Sequence, residues 1–392
     1  MSAIACYCAL GAVLGILPGY VSSGLGASPV WVGICVGAPA LTGAALRPIG
    51  GRLADRRGPR RVMVLGAGAM TAGTLPAFAP SLPALVLSRL AVGAGEALMM
   101  SAAVLWLLRL AGPSRQALAL GHIGLANYVG LTIGPLAAIP LGGTRHPAAV
   151  WTAALALPLA AAAAVRRTAP PAVERTGDDD HARQLWRSTA RPGVGLLLVN
   201  VGYVALLAFG AATATQHHLG LAPYVVPIFA GGVVVSRTLL GAIPDRVGPS
   251  RTLVAAALAE GASLGVFAAS TSVILAVVFL VTLSLGQGLA VPSLGALALR
   301  GVPAHQRGAA AGAFFAYFDA GVGLGGPFAG ALTHAFSAPV AVAVSGATVT
   351  LAVPTALSGR RWPNEPFPAA PDEPRRAMGH RRSGPRKAVG RR

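Results

Sequence analysis

Long apolar stretches, separated by short polar or charged segments, are the feature that most constrains this chain. Twelve of them can be marked along the 392 residues. Most approach the roughly 20 residues that a helix needs to cross the hydrocarbon of a bilayer. Their approximate bounds are 3–22, 29–50, 62–80, 83–108, 117–141, 147–165, 193–216, 224–243, 252–270, 273–299, 308–332 and 338–358. The chain is therefore predicted to be an all-α integral membrane protein with twelve transmembrane helices.

The placement of the basic residues predicts how these spans are oriented. If the N-terminus is cytoplasmic, 27 of the 31 Lys and Arg residues fall in inner segments, and only Arg145 falls in an outer loop. Inner loops of membrane proteins are enriched in Lys and Arg. We expect a multi-pass protein of the cytoplasmic membrane with both termini in the cytoplasm. Because this distribution accounts for most of the net charge of +19, the expected partner is the lipid bilayer and no nucleic acid.

Two polar segments divide the chain into parts. Residues 166–192 separate the first six spans from the last six, and residues 359–392 are rich in Pro and Arg. We predict an N-terminal six-helix bundle in 1–165 and a cytoplasmic central loop in 166–192. A C-terminal six-helix bundle is predicted in 193–358, followed by a basic, disordered cytoplasmic tail in 359–392.

The two halves repeat each other. The segment "GRLADRRGPRRV", which begins at Gly51, shares its skeleton with "GAIPDRVGPSRT", which begins at Gly241. At the same offset of 190 residues Arg47 matches Arg237, and at an offset of 192 residues Asn127 matches Asp319. A duplicated six-span unit with parallel topology is a known transporter architecture, and it places the substrate path between the halves.

The two charged segments are predicted to form a gate on the cytoplasmic side. A tight connection between helices requires unusual backbone angles, which Gly58 and Gly248 can adopt. Asp55 is expected near the start of the third span, where a helix N-terminus favours negative charge, and the arginines are expected to pair with it. The alternative is a charge cluster that only fixes topology. The predicted gate residues are Gly51, Asp55, Arg56, Gly58, Arg60 and Arg61, with Arg237, Gly241, Asp245, Arg246 and Gly248 in the second copy.

Several segments resemble signature motifs of the major facilitator superfamily of secondary transporters. "GRLADRRGPRRV" is similar to the motif between its second and third spans, and "RLAVGAGEA", which contains Arg89, is similar to its fourth-span motif. "GLTIGPLAAI" resembles the antiporter-associated motif, with its usual closing glycine pair replaced. The motif residues present there are Gly130, Gly134 and Pro135. The resemblance extends through residue 358 and implies two pseudo-symmetric six-helix bundles.

Few charges lie inside the predicted spans. Among the twelve acidic residues, only Glu96, Glu260 and Asp319 fall well within apolar runs. A charge at mid-bilayer depth costs about 2.5–3.5 kcal/mol, so each is a functional candidate. Glu260 lies in the ninth span, which is peripheral in the superfamily, and a structural role is favoured for it.

Four residues are predicted to form the proton-coupling or substrate cavity. Arg89 and Glu96 are seven residues apart and therefore lie on nearly the same helix face. The family resemblance implies that the arginine of this span takes part in proton coupling, and Glu96 is a candidate proton carrier. Asn127 and Asp319 are predicted to face one interface as a pseudo-twofold pair. A static packing contact is the alternative for both pairs.

The predicted function is secondary active transport by alternating access, driven by a proton gradient. Export of a small organic compound, such as a drug or metabolite, is the preferred direction. Proton-coupled uptake of a small metabolite, or a membrane sensor or scaffold that does not transport, are the alternatives. The sequence has no phosphate-binding loop, no nucleophile–base pair and no metal constellation. No enzyme activity, metal or cofactor is therefore expected, and the chain is expected to be monomeric.

Overall fold

All regular structure is helical in the part of the chain that the computed structural model describes, which is residues 1–111, 116–168, 182–300, 302 and 307–358. The first half contains α1 (Ser2–Gly19), α2 (Pro29–Arg57), α3 (Pro59–Thr74), α4 (Leu82–Ala111), α5 (Gln116–Ala138) and α6 (Pro147–Arg166). The second half contains α7 (Ala182–Gln216), α8 (Val225–Leu239), α9 (Ile243–Val247), α10 (Pro249–Ala269), α11 (Val273–Leu299), α12 (Arg307–Ala335), α13 (Ala338–Thr350) and α14 (Ala352–Leu357). Residues 169–181 of the predicted central loop and the whole predicted tail lie outside the described residues, whereas residues 182–192 of that loop belong to α7 and correct the predicted start of the second bundle.

Twelve of these helices coincide with the twelve predicted spans, and α9 and α14 are short additions. By length and composition, nine helical segments in the described part of the chain can cross a membrane. Helices α1 to α6 pack on one another, and so do α7 to α14. The prediction of an all-helical membrane protein with two six-helix bundles is confirmed.

Proline and glycine set several helix boundaries. Proline occupies the first position of α2, α3, α6 and α10, where its missing N–H group removes no helical hydrogen bond. Gly58 separates α2 from α3 at a φ of 84°, and Gly248 separates α9 from α10 at a φ of 99°. Both values lie in the region that favours glycine, so the repeated glycine marks the same connection in each half.

The two charged segments differ in structure from what their similarity predicts. In the first half, α2 continues to Arg57, so most of "GRLADRRGPRRV" is helix and Asp55 lies inside α2 rather than beside the start of α3. In the second half, α8 already ends at Leu239, and the short α9 carries Asp245 and Arg246. Gly58 alone provides the turn in the first copy, whereas the second copy adds a break before α9.

The two bundles meet mainly along two pairs of helices. Helix α2 of the first bundle packs on α12 of the second, and α5 of the first packs on α8 of the second. We call these contacts the first crossing and the second crossing. The internal repeat relates α2 to α8 and α5 to α12, so the two crossings are related by the pseudo-twofold axis of the fold.

Candidate functional site

Glycine residues bring the backbones of α2 and α12 together at the first crossing. A Cβ atom added at Gly33 would overlap the carbonyl oxygen of Gly326. One added at Gly37 would lie 2.9 Å from the carbonyl oxygen of Gly323. Small residues allow such close approach between membrane helices. The two bundles therefore touch through their main chains along this part of the crossing.

Farther along the first crossing, charged side chains join the bundles. Arg47 on α2 donates from Nε and Nη2 to the two carboxylate oxygens of Asp319 on α12, and the Nη2–Oδ1 distance is 3.0 Å. The same Nη2 lies 3.6 Å from Oε1 of Glu96 on α4. The Tyr7 hydroxyl donates to that oxygen over 3.4 Å. We call Tyr7, Arg47, Glu96 and Asp319 the central ion cluster.

The central ion cluster lies deep within the helices. Asp319 is only 2% exposed, and both Asp319 and Glu96 are close to the midpoints of their helices. One guanidinium thus serves two carboxylates, one from its own bundle and one from the other. With both carboxylates ionised the cluster carries one net negative charge, and a single bound proton neutralises it.

The second crossing is built from an arginine and an aromatic ring. The guanidinium of Arg237 on α8 lies 4.9 Å from the ring centroid of Tyr128 on α5. The Tyr128 hydroxyl accepts a hydrogen bond from Nε2 of Gln287 over 3.2 Å. Nε of Arg237 is buried and has no hydrogen-bond partner among the described residues. A cation–π contact therefore stands here in place of an ion pair.

Aromatic side chains connect the two crossings. The ring of Tyr203 on α7 lies 5.8 Å from that of Phe229 and 6.0 Å from that of Phe318, centroid to centroid. Tyr128 contacts both Tyr203 and Phe229, edge to face. Because Phe318 directly precedes Asp319, this aromatic wall runs from Arg237 to the central ion cluster.

The structure brings together two of the four residues predicted for the cavity. Glu96 and Asp319 share Arg47. Asp319 faces α2 at the first crossing, whereas Asn127 lies beside Tyr203. Asn127 and Asp319 thus both contact the opposite bundle, at different crossings of the same interface, and their predicted role as a pair in substrate or proton binding stays a prediction.

Arg89 lies apart from the central ion cluster. It is 5% exposed, and its Nε donates to the carbonyl oxygen of Cys35 over 3.3 Å. The side chain lines a pocket inside the first bundle, formed with Met70, Thr74 and Trp151 among others. Glu96 turns toward Arg47 instead of Arg89, so α4 presents the two charges to different neighbours.

The predicted gate residues make contacts inside the first bundle. Asp55 accepts from Nη2 of Arg109, in the last turn of α4, over 3.1 Å. Arg60 donates to the carbonyl oxygen of Arg166 at the end of α6. The partner shown for Asp55 is thus an arginine of another helix rather than of its own motif. In the second copy, Asp245 and Arg246 are exposed, and the role of both copies in gating stays a prediction.

The antiporter-like motif packs α5 on α1. Gly130 lies against Tyr7 and Cys8, and Gly134 lies against Cys8 and Ala12. Pro135, the next motif residue, lies against Gly11 and Gly15. The motif therefore fixes the distance between α5, which carries the second crossing, and α1, which carries Tyr7 of the central ion cluster.

Glu260 occupies the interior of the second bundle. It is completely buried, and neither carboxylate oxygen has a hydrogen-bond partner among the described residues. A Cβ atom added at Gly286 on α11 would lie 2.9 Å from Cβ of Glu260. This contact with Gly286 is packing within the second bundle.

The predicted cavity residues omitted Arg47 and Arg237, the two arginines that form the crossings. The sequence contained a signal for both, because each is an arginine within an apolar run and the internal repeat aligns the two. An intramembrane charge marks a functional candidate whether it is basic or acidic. The aromatic wall gives no comparable signal, because aromatic residues in apolar runs are ordinary core residues.

Comparisons with known proteins agree with the overall fold. A family model for the Major Facilitator Superfamily matches residues 1–325 and 216–390. An uncharacterized MFS-type transporter of Burkholderia mallei is 29% identical over 343 residues, which cover 85% of this chain and 84% of that protein. The crystal structure of the nucleoside transporter NupG superposes with a TM-score of 0.71 at 14% identity, over 91% of this chain and 95% of that one. The structure of the human organic anion transporter MFSD10 superposes with a TM-score of 0.67 at 16% identity, over 91% and 97%.

Proposed function

The chain belongs to the Major Facilitator Superfamily, and from this premise we propose that it is a proton-coupled secondary transporter that exports a small organic compound. The observation that carries the proposal is the position of Arg47, which contacts a carboxylate of its own bundle and a carboxylate of the opposite bundle. A proton that binds to this cluster changes the attraction between the bundles.

The coupling step follows from the charges of the central ion cluster. When Asp319 is ionised, its two hydrogen bonds to Arg47 tie α12 to α2. When Asp319 binds a proton it loses its charge, and among the described residues Glu96 is then the ionised carboxylate next to the guanidinium. Since Glu96 belongs to the same bundle as Arg47, this exchange of partners frees α12 from α2. The bundles can then separate at the first crossing, as alternating access requires.

Export is proposed from the α5 motif and from the apolar character of the interior. The contacts of Gly130, Gly134 and Pro135 with α1 keep α5 close to α1, as expected for a motif associated with antiport. The aromatic wall between the crossings is suited to a compound with an apolar body. The proposed location is the cytoplasmic membrane with both termini inside, which follows from the distribution of Lys and Arg. Proton-coupled uptake is the second candidate, since the same cluster can drive either direction.

The direction of transport and its coupling to protons can be tested in two successive experiments. Cells that express the wild-type chain and cells that express Glu96→Gln are compared by untargeted mass spectrometry of cell extract and medium. Export predicts compounds that are depleted inside and enriched outside only in the wild type. Those compounds are then added to proteoliposomes that contain a pH-sensitive dye.

We expect each exported compound to evoke proton movement with the wild-type chain and not with Asp319→Asn. Accumulation inside the cells would replace export with uptake. Substrate movement without proton movement would remove the coupling proposal. An absence of any compound difference would favour a sensor or scaffold.

A further inference from the structure

We propose that Arg237 binds the carboxylate of the substrate, so that the transported compound is an organic anion with an apolar body. The inference rests on the proposed transport function and narrows its substrate class. In the internal repeat, Arg237 occupies the position on α8 that Arg47 occupies on α2. Arg47 holds a carboxylate of the opposite bundle, whereas at the second crossing the repeat supplies Asn127 where Asp319 stands at the first.

No protein carboxylate takes the missing position within the described residues. Arg237 has no acidic side chain within ion-pair distance there. Asp55 binds Arg109, Glu96 and Asp319 bind Arg47, and Glu260 is buried without a hydrogen-bond partner. The second crossing therefore presents a positive charge that no carboxylate of the described residues pairs directly.

The contact with Tyr128 engages the face of the Arg237 guanidinium, and Nη1 lies against Gly124. An aromatic face attracts the cation as a whole, but the N–H groups of arginine point outward in the plane of the guanidinium. Nε of Arg237 is buried and has no partner among the described residues, although Tyr128 lies beneath the group. A buried donor without an acceptor costs free energy. A carboxylate, which binds the edge of arginine through two parallel hydrogen bonds, relieves that cost.

The surroundings of Arg237 indicate the remainder of the ligand. Tyr203, Phe229 and Phe318 continue from Tyr128 toward the first crossing. Phe318 and Asn127 are half-buried, whereas Tyr128, Tyr203 and Phe229 are buried, so the wall is partly exposed at these two residues. We infer that an aromatic or alkyl body lies along this wall while its carboxylate pairs with Arg237. The ligand then contacts both bundles, as a substrate that controls their separation must.

The inference is tested by ligand-induced thermal stabilisation of the purified full-length chain. The probes are matched pairs of aryl-alkyl carboxylic acids and their primary amides, with linkers of increasing length. The amide preserves shape and removes the charge. For the wild type we expect acids to stabilise the chain and the matched amides to bind roughly 10- to 100-fold more weakly, the factor that corresponds to a hydrogen-bonded charge.

Three variants make the result specific. Arg237→Gln is expected to lose the preference for acids, whereas Arg145→Gln, which removes an exposed charge from an outer loop, is expected to keep it. Asn127→Asp restores the carboxylate that the repeat lacks. It is expected to raise the melting temperature without ligand and to weaken the binding of acids, so it remains informative if Arg237→Gln fails to fold.

The proposal is overturned if acids and amides stabilise the wild type equally, if no acid stabilises it, or if Arg237→Gln and Asn127→Asp bind acids as the wild type does. The outcome is separable from that of the transport proposal. Binding of acids that depends on Arg237, without proton movement in proteoliposomes, would retain this inference and reject the coupling. Proton-coupled transport of neutral compounds by Arg237→Gln would retain the coupling proposal and reject this inference.

Discussion

The two crossings occupy equivalent places in a duplicated fold but are held by different chemistry. At the first crossing, α2 and α12 touch through glycine backbones and are joined by the Arg47–Asp319 ion pair. At the second, α5 and α8 are joined by Arg237 over the ring of Tyr128. The arginine is present in both halves and its carboxylate partner in only one. The comparison teaches that a duplicated, symmetric frame can hold different chemistry at its two crossings, and our proposals assign proton binding to the first and substrate binding to the second.

The largest expected effect is the difference in stability loss between substitution of Arg47 and substitution of Arg237. Arg47→Gln leaves Asp319 and Glu96 buried without their cation, and breaking a buried ion pair by removing one partner costs about 3–5 kcal/mol. Arg237→Gln is the matched variant and leaves no protein carboxylate behind among the described residues. It is expected to cost about 0.5–2 kcal/mol, the value of a cation–π contact. Thermal unfolding of both variants in the same detergent measures the difference, and equal losses would contradict the asymmetry of the crossings.

A smaller effect is expected from the glycines of the two crossings. Gly33→Ala places a methyl group against the carbonyl oxygen of Gly326, and such overpacking costs about 1–3 kcal/mol. Gly231→Ala is the control on α8, because its methyl group would lie 3.5 Å from Cγ2 of Thr132, an ordinary contact. Since alanine favours helix over glycine by about 1 kcal/mol, Gly231→Ala is expected to leave stability unchanged or raise it. Melting temperatures that fall equally in both variants would show that the crossings are packed alike.

The smallest effect concerns the hydroxyl of Tyr128. Tyr128→Phe keeps the ring beneath Arg237 and removes the acceptor for Gln287, at a cost of about 1 kcal/mol. We expect the preference for acids over amides to survive this change, because it depends on the guanidinium and not on the hydroxyl. The same binding and unfolding measurements check both expectations. Loss of acid binding in Tyr128→Phe would show that the tyrosine hydroxyl, and not Arg237, makes the contact with the anion.

Much of the fold was predictable from the sequence, because its physical causes are local. Membrane spans follow from the length of an apolar run, and Gly58 and Gly248 mark their connections through backbone freedom that no other residue has. The continuation of α2 to Arg57 was not predictable. Charged residues end an apolar run but need not end a helix. The apolar run and the helix therefore end at different residues.

The site was predictable only in part. Glu96 and Asp319 could be selected because charge inside a membrane is expensive, and the structure brings them together. Their shared partner Arg47 depends on how α2, α4 and α12 pack, which spacing along one helix does not reveal. Arg89 and Glu96 lie on similar faces of α4, yet small differences in direction place Arg89 in a pocket of its own bundle and Glu96 against Arg47 of α2. Tertiary packing therefore decides which buried charges interact.

The glycine contacts of the first crossing have a consequence for motion. Packed side chains must change rotamer when two helices tilt over each other, and each restricted rotamer carries an entropic cost. Gly33 and Gly326 have no rotamers, and they meet through main-chain atoms alone. When α2 tilts over α12 at this point, no side-chain torsion angle of these two glycines has to change. The two helices can therefore pivot here without a change in side-chain entropy.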